Sequence, residues 1–256
     1  MKRKTSVKQI LILAFIIFVC SFQTIVFCQQ PAIRVAIYND TGGGEPGVTN
    51  VKLSLLDDTI FFTQEVDASD IRSGILNEFD VLVQAGGSGS KQAKTLQQEG
   101  VDSIKQFVRR GGGYLGICAG AYLATVQYEW SLGILNALVV DREHWNRGTG
   151  IVEIGLTEDG KRFFRVDSQS ITLQYGQGPL LTPAERNELT AYRELAVYNT
   201  EIAENGAVEG FMIGTTAIAQ GEYQNGKVIA ISPHPEKWEN LRFMIARCVL
   251  WLANKE

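Results

Sequence analysis

Histidine is almost missing from this 256-residue chain, which has two, His144 and His234. Cysteine is scarce too. There are four, and Cys20 and Cys28 fall within the first 28 residues. No Cys/His group has zinc spacing, so no metal is expected. The glycine-rich stretches fit neither G-x-G-x-x-G nor a P-loop, so no cofactor is expected either. Charge of one sign is also lacking. Lys and Arg number 24 against 28 Asp and Glu, a net charge of −4. No basic stripe interleaved with aromatics is present, which excludes nucleic acid as the expected partner. The chain has no low-complexity tract, internal repeat or interdomain linker. Its hydrophobic content of 45% suits one globular domain.

The first 28 residues stand apart. Lys2, Arg3, Lys4 and Lys8 precede an unbroken apolar run, Ile10 to Val19, and Ser21, Gln23 and Thr24 then break it. This is the order of a secretory signal peptide. The run falls short of the ~20 apolar residues that a membrane span needs. Residues 1–28 are therefore expected to be a signal peptide, with an uncleaved N-terminal anchor as the alternative. The protein is expected to be exported, periplasmic or extracellular, without membrane contact once the signal is gone. Residues 32–254 are expected to form a single domain. Loss of the leader removes four positive charges and takes −4 to −8. It also leaves only Cys118 and Cys248, too few for a disulfide scaffold. Cys248 lies in an apolar helical pattern and reads as a small buried hydrophobe. Cys118 is then a free thiol in an exported chain.

Strand and helix signals alternate up to Ile117. Strands are read at Ile33–Tyr38, Ile60–Val66, Phe79–Gln84 and Gly113–Ile117. Helical spacing appears over Val48–Asp57, Lys91–Gln98 and Val101–Arg109, with a capped start at Asp67 or Ser69. Such alternation predicts an α/β fold with a mostly parallel sheet covered on both faces. After Tyr128 short strands dominate: Ala137–Val140, Ile151–Leu156, Phe163–Val166, Ile171–Tyr175 and Leu195–Tyr198. A hairpin joins Ala217–Tyr223 to Val228–Ile231 through Gln224-Asn225-Gly226. A last helix is expected over Trp238–Leu252. The second half therefore reads as a β-rich extension of the sheet.

Chemistry concentrates at two places. Gly112 to Ala121 is a short apolar strand followed by a sharp turn at Cys118 and small residues that open a helix. Such an elbow exposes a nucleophile and sets backbone N–H groups before it. A thiol reacts as thiolate and needs a cationic or basic neighbour. His234 lies between Pro233 and Pro235, which favour extended backbone before them. Extended geometry would put His234 and Glu236 on one side of the chain, a base with its own orienting carboxylate. The N–H of Ala119 and those of the Gly86-Gly87 turn are candidate oxyanion donors. Trp145 and Arg147 are candidates for binding a carboxylate, since arginine's fork suits that geometry. Tyr175, with its glycine neighbours, is a candidate for the pocket mouth.

Leu82–Gly87, Gly113–Ala121 and Ser232–Glu236 resemble the class I glutamine amidotransferase-like superfamily. Within it, the elbow through Tyr122, with Trp145-Asn146-Arg147-Gly148 and Tyr175-Gly176-Gln177-Gly178-Pro179, resembles the family of the biotin–protein ligase N-terminal domain. The resemblance implies a flavodoxin-like fold, Cys118 as nucleophile, His234 as base and Glu236 as its orienter. It also implies Gly87 and Ala119 as oxyanion donors. Glutamine-hydrolysing members usually carry glutamine four residues after the cysteine, where this chain has Tyr122. That departure argues against glutamine as substrate and adds Tyr122 to the pocket candidates, with Gly86. The expected function is a cysteine hydrolase or acyl transferase acting on an amide bond of a small molecule or peptide. A non-catalytic binding module on the same fold stays open, as does a redox role for Cys118.

Overall fold

Along the first strand, β1 (Ile33–Tyr38), side chains alternate between two separate cores. Ile33, Val35 and Ile37 enter one, and Ala36 and Tyr38 the other, so this strand is buried on both faces. A parallel sheet under helices on both sides requires that pattern. The computed structural model describes residues 33–56 and 58–255. The expected signal peptide lies outside the described residues.

From β1 the chain runs through α1 (Glu45–Leu55), β2 (Phe61–Val66), α2 (Ala68–Arg72), β3 (Val81–Gln84), α3 (Gly89–Arg109), β4 (Gly113–Ile117) and α4 (Ala119–Ala124). The second half holds β5 (Ala137–Val139), β6 (Thr149–Leu156), α5 (Glu158–Phe164), β7 (Ser170–Gly176), β8 (Leu181–Pro183) and β9 (Arg193–Tyr198). Then come β10 (Thr216–Tyr223), β11 (Gly226–Ile231) and α6 (Arg242–Leu252). The sheet order is β2-β1-β3-β4-β11-β10-β9-β6-β7. Pairing is parallel from β2 to β11 and antiparallel from β11 to β7. The architecture is a mixed α/β, flavodoxin-like sheet with an antiparallel extension. Helices α1 and α6 cover one face through Val48, Val51, Leu55, Ile245 and Leu252. Helices α2, α3 and α4 cover the other through Ile71, Leu96, Ile104, Phe107 and Leu123. Each such side chain is worth roughly 1.5–3 kcal/mol when fully buried. No helix among the described residues is long and apolar enough to cross a membrane.

Local signals account for the boundaries. Asp67 caps α2 in a full capping box, its carboxylate accepting from the Asp70 N–H at 2.8 Å and its own N–H donating to Asp70 at 3.1 Å. The two helical patterns before and after residue 100 form one element, α3, broken internally at Gln97 (φ 58°, ψ 179°). Of the expected strand Phe163–Val166, Phe163 and Phe164 end α5 and Arg165 follows as its left-handed cap. Thr157 caps that helix by accepting from the Gly160 N–H at 3.0 Å, and Glu158 and Asp159 suit its positive end. The cap outweighs the strand preference of the Phe163-Phe164 pair. The last helix starts at Arg242, not Trp238. Pro235–Lys237 and Glu239–Leu241 form single 3₁₀ turns, with Trp238 extended between them.

Candidate active site

The strand–helix junction of β4 and α4 places Cys118 at the carboxyl end of the parallel strands, between β3 and β11. Its backbone is in a rare conformation, φ 51° and ψ −99°. A non-glycine residue there costs of order 1–3 kcal/mol and persists only when its surroundings impose it. Here the constraint is close packing of α4 on the sheet. A Cβ on Gly116 would collide with the Gly120 carbonyl, and one on Gly120 with the Gln84 carbonyl. The Cys118 N–H is held by the Ile231 carbonyl at 2.8 Å, which ties the elbow to the end of β11.

Three residues beyond Ile231 comes His234. Its N–H donates to the Gln174 carbonyl of β7 at 2.8 Å, so the antiparallel extension seats it. Two glycines clamp the ring. A Cβ on Gly86 would lie 3.1 Å from Cε1, and one on Gly176 would lie 3.0 Å from Nε2. Nδ1 is 2.7 Å from Glu236 Oε1, and both side chains are buried. This bond arises differently from the sequence expectation. Glu236 is not extended but lies in the 3₁₀ turn Pro235–Lys237, which folds the carboxylate back beneath the ring. The second carboxylate oxygen has no hydrogen-bond partner among the described residues. Burial pulls the His234 pKa down. Hydrogen bonds with Cys118 and Glu236, and their charges, more than offset this and raise it to about 9. The Cys118 sulfur also reaches the Gly176 carbonyl at 3.4 Å.

A cavity of about 580 Å³ opens beside the sulfur. Cys118, Ala119, Gly87, Tyr122 and Trp145 all line it. Ala119 is the first residue of α4, so its N–H lacks an intrahelical partner. Gly87 has φ 141°, and any Cβ there would strike the Gly42 carbonyl. The Gly42–Gly44 loop is therefore a seat for Gly87, bridged to it through Gly43. The Tyr122 hydroxyl donates to the Gln177 carbonyl at 3.2 Å.

Three expected pocket residues are elsewhere. Arg147 does not line the cavity. It is 1% exposed and donates to Asp141 Oδ2 at 2.6 Å, because a buried guanidinium requires a paired carboxylate. Asp141 also accepts from the His144 backbone N–H at 3.1 Å and lies 3.0 Å from its Nδ1, so this cluster braces the 141–147 loop. Tyr175 is fully buried, packed edge-on against Tyr198, and its hydroxyl donates to the Gly178 carbonyl at 2.8 Å. Gly86 touches the imidazole rather than the cavity. Sequence reasoning missed Lys91, Tyr128, Trp130 and Arg142, which do line the cavity. Their only sequence signal was proximity to the Gly86–Gly89 turn and to Trp145. Among the described residues no group of three His, Cys, Asp or Glu is placed to hold a metal.

Residues 33–144 match the model of the biotin–protein ligase N-terminal family. Over 103 residues the chain is 31% identical to the pyridoxal 5′-phosphate synthase subunit PdxT of Halobacterium salinarum, covering 38% of this chain and 50% of that protein. The match thus spans about half the length of that curated relative. A ThuA-like protein of Bacteroides uniformis has a similar structure, with a TM-score of 0.61 at 14% identity, covering 88% of this chain and 93% of its own. A cytoplasmic protein of Salmonella typhimurium LT2 gives 0.55 at 14% identity, over 86% and 99% of the two chains. A β-galactosidase of Bacillus circulans gives 0.53 at 14% identity, over 84% of this chain and 30% of that one. The sequence matches agree with a glutamine amidotransferase-like fold, and the structural ones with its α/β architecture.

Proposed function

We propose that this chain is an exported Cys-His-Glu enzyme that hydrolyses an amide bond or transfers its acyl group. The observation that carries this reading is the His234 imidazole, braced by Glu236 and set with the strained Cys118 around Gly86, beside an open cavity. With its pKa near 9, His234 holds a proton at neutral pH. A thiol attacks as its thiolate. The thiolate adds to the amide carbonyl, and the Gly87 and Ala119 N–H groups receive the oxyanion. His234 then gives its proton to the leaving amine, the C–N bond breaks, and a thioester remains on Cys118. Water or an acceptor amine attacks the thioester, returns a proton to His234 and expels the Cys118 thiolate. Tyr122 stands in the cavity where glutamine-hydrolysing relatives usually carry glutamine, which supports an amide substrate other than glutamine. Export rests on the basic-then-apolar order of residues 1–28.

The test is intact-mass trapping of the thioester from a panel of γ-glutamyl and peptide amides. An adduct is expected on Cys118 in the native chain and none in Cys118→Ala, whose circular dichroism stays unchanged. Equal turnover by the two proteins would end the proposal.

A further inference from the structure

The cavity beside Cys118 has a one-sided chemistry. Its two ionisable lining side chains outside the elbow and the tyrosines are Lys91 and Arg142, both cationic, and no Asp or Glu lines it. In a chain of net charge −4 that is an uneven local distribution. Neither cation has an acidic partner among the described residues. The Arg142 guanidinium lies 4.9 Å from the centroid of Tyr128. Stacking occupies the face of the guanidinium, and its in-plane fork of N–H donors suits a carboxylate. The first turn of α3 opens on the same space through Ser88, Gly89 and Ser90, and Ser88 supplies no side-chain cap.

The apolar wall is equally specific. Tyr128 and Trp130 are stacked, with centroids 4.5 Å apart and planes 9° apart, and Tyr122 leans on Tyr128 at 6.2 Å. Trp130 is set against Gly89, where an added Cβ would lie 3.1 Å from its ring. The rings are therefore fixed to the start of α3 as an aromatic wall.

We infer that the substrate amide carries an anionic group held by Arg142 and Lys91 and a flat ring that rests against the Tyr122–Tyr128–Trp130 wall. This inference rests on the proposed reading of Cys118 only in placing the amide at the sulfur. Arg142 and Lys91 act as specificity residues, taking the role that the sequence assigned to Arg147.

The test uses the full chain carrying Cys118→Ala, with binding followed by tryptophan fluorescence. The probes are N-benzoyl-L-glutamine, its methyl ester and N-acetyl-L-glutamine. The benzoyl acid is expected to bind about tenfold or more tightly than either analogue, because each analogue lacks either the charge-assisted contact or the stacked ring. Its advantage over the ester should fall with added salt and disappear in the Lys91→Gln/Arg142→Gln double variant. Both replaced residues are exposed, and an unchanged melting temperature will show that the fold is kept. Equal binding of acid and ester, an advantage that survives the double variant, or no binding of the benzoyl acid would overturn the inference. Equal binding of the benzoyl and acetyl acids would overturn its ring component. Thioester trapping in the native chain is a separate readout. Anion preference without any thioester would sink the catalytic proposal and leave the specificity assignment standing.

Discussion

Cys118 holds a backbone conformation that β4 and α4 impose on it, and its sulfur opens on the cavity. Cys248 has neither property. It is fully buried in α6, and burial pushes its thiol pKa well up. Brief treatment with iodoacetamide at pH 7 should therefore modify Cys118 and spare Cys248, as read by peptide mass mapping. Equal labelling of both would argue against a privileged thiol. The proton on His234 gives a second expectation. Its folded pKa is raised from 6.5 to about 9, so its contribution to stability is fully present below about pH 6.5 and is lost as pH rises through 9. Denaturant midpoints should fall across that window in the native chain and less so in His234→Gln. If the proposed chemistry holds, Glu236→Gln should lower the acylation rate by about 10²–10⁴-fold, the range of a general acid–base contribution. Both residues are buried, so melting curves must accompany the rates.

Between elements, the elbow depends on contacts too close for any side chain. A Cβ on Gly120 meets the Gln84 carbonyl at the end of β3. Gly120→Ala should force α4 off the sheet and destabilise the protein by about 1–3 kcal/mol, the usual cost of overpacking. The 141–147 loop depends on a buried charge pair instead. Asp141→Ala leaves Arg147 buried and unpaired, and should cost about 3–5 kcal/mol in chemical denaturation. Replacing both residues together should cost less than Asp141→Ala alone, because the stranded charge is then gone. The sequence pointed to this loop but assigned its arginine to substrate. Arg142 and Arg147 both flank Trp145, and nothing in their spacing says which one finds a buried carboxylate and which lines the cavity.

At the scale of the molecule, the family match at residues 33–144 ends before the sheet is complete. Strand β4 sits between β3 and β11, and β11 with its covering helix α6 comes from residues 226–252. A fragment of residues 33–144 would expose one edge of β4 and the apolar face that α6 covers. It is therefore expected not to fold cooperatively, whereas residues 33–255 should show a single sharp thermal transition by circular dichroism.

Short-range signals were legible without coordinates. The apolar strand runs, the Asp67 cap, the Gln224-Asn225-Gly226 turn and the small residues around Cys118 each act over a few residues, where backbone sterics and hydrogen bonding decide the outcome. The α/β class and the choice of Cys118, His234 and Glu236 as candidates followed from them. The bond between His234 and Glu236 depended on a 3₁₀ turn instead of an extended strand, and the imidazole clamp on glycines 148 and 58 positions before it in the chain. The cavity's cations and aromatic wall were likewise set by which loops the finished sheet brings to one end. Those pairings span most of the chain, and only long-range packing selects among partners that the sequence leaves equivalent.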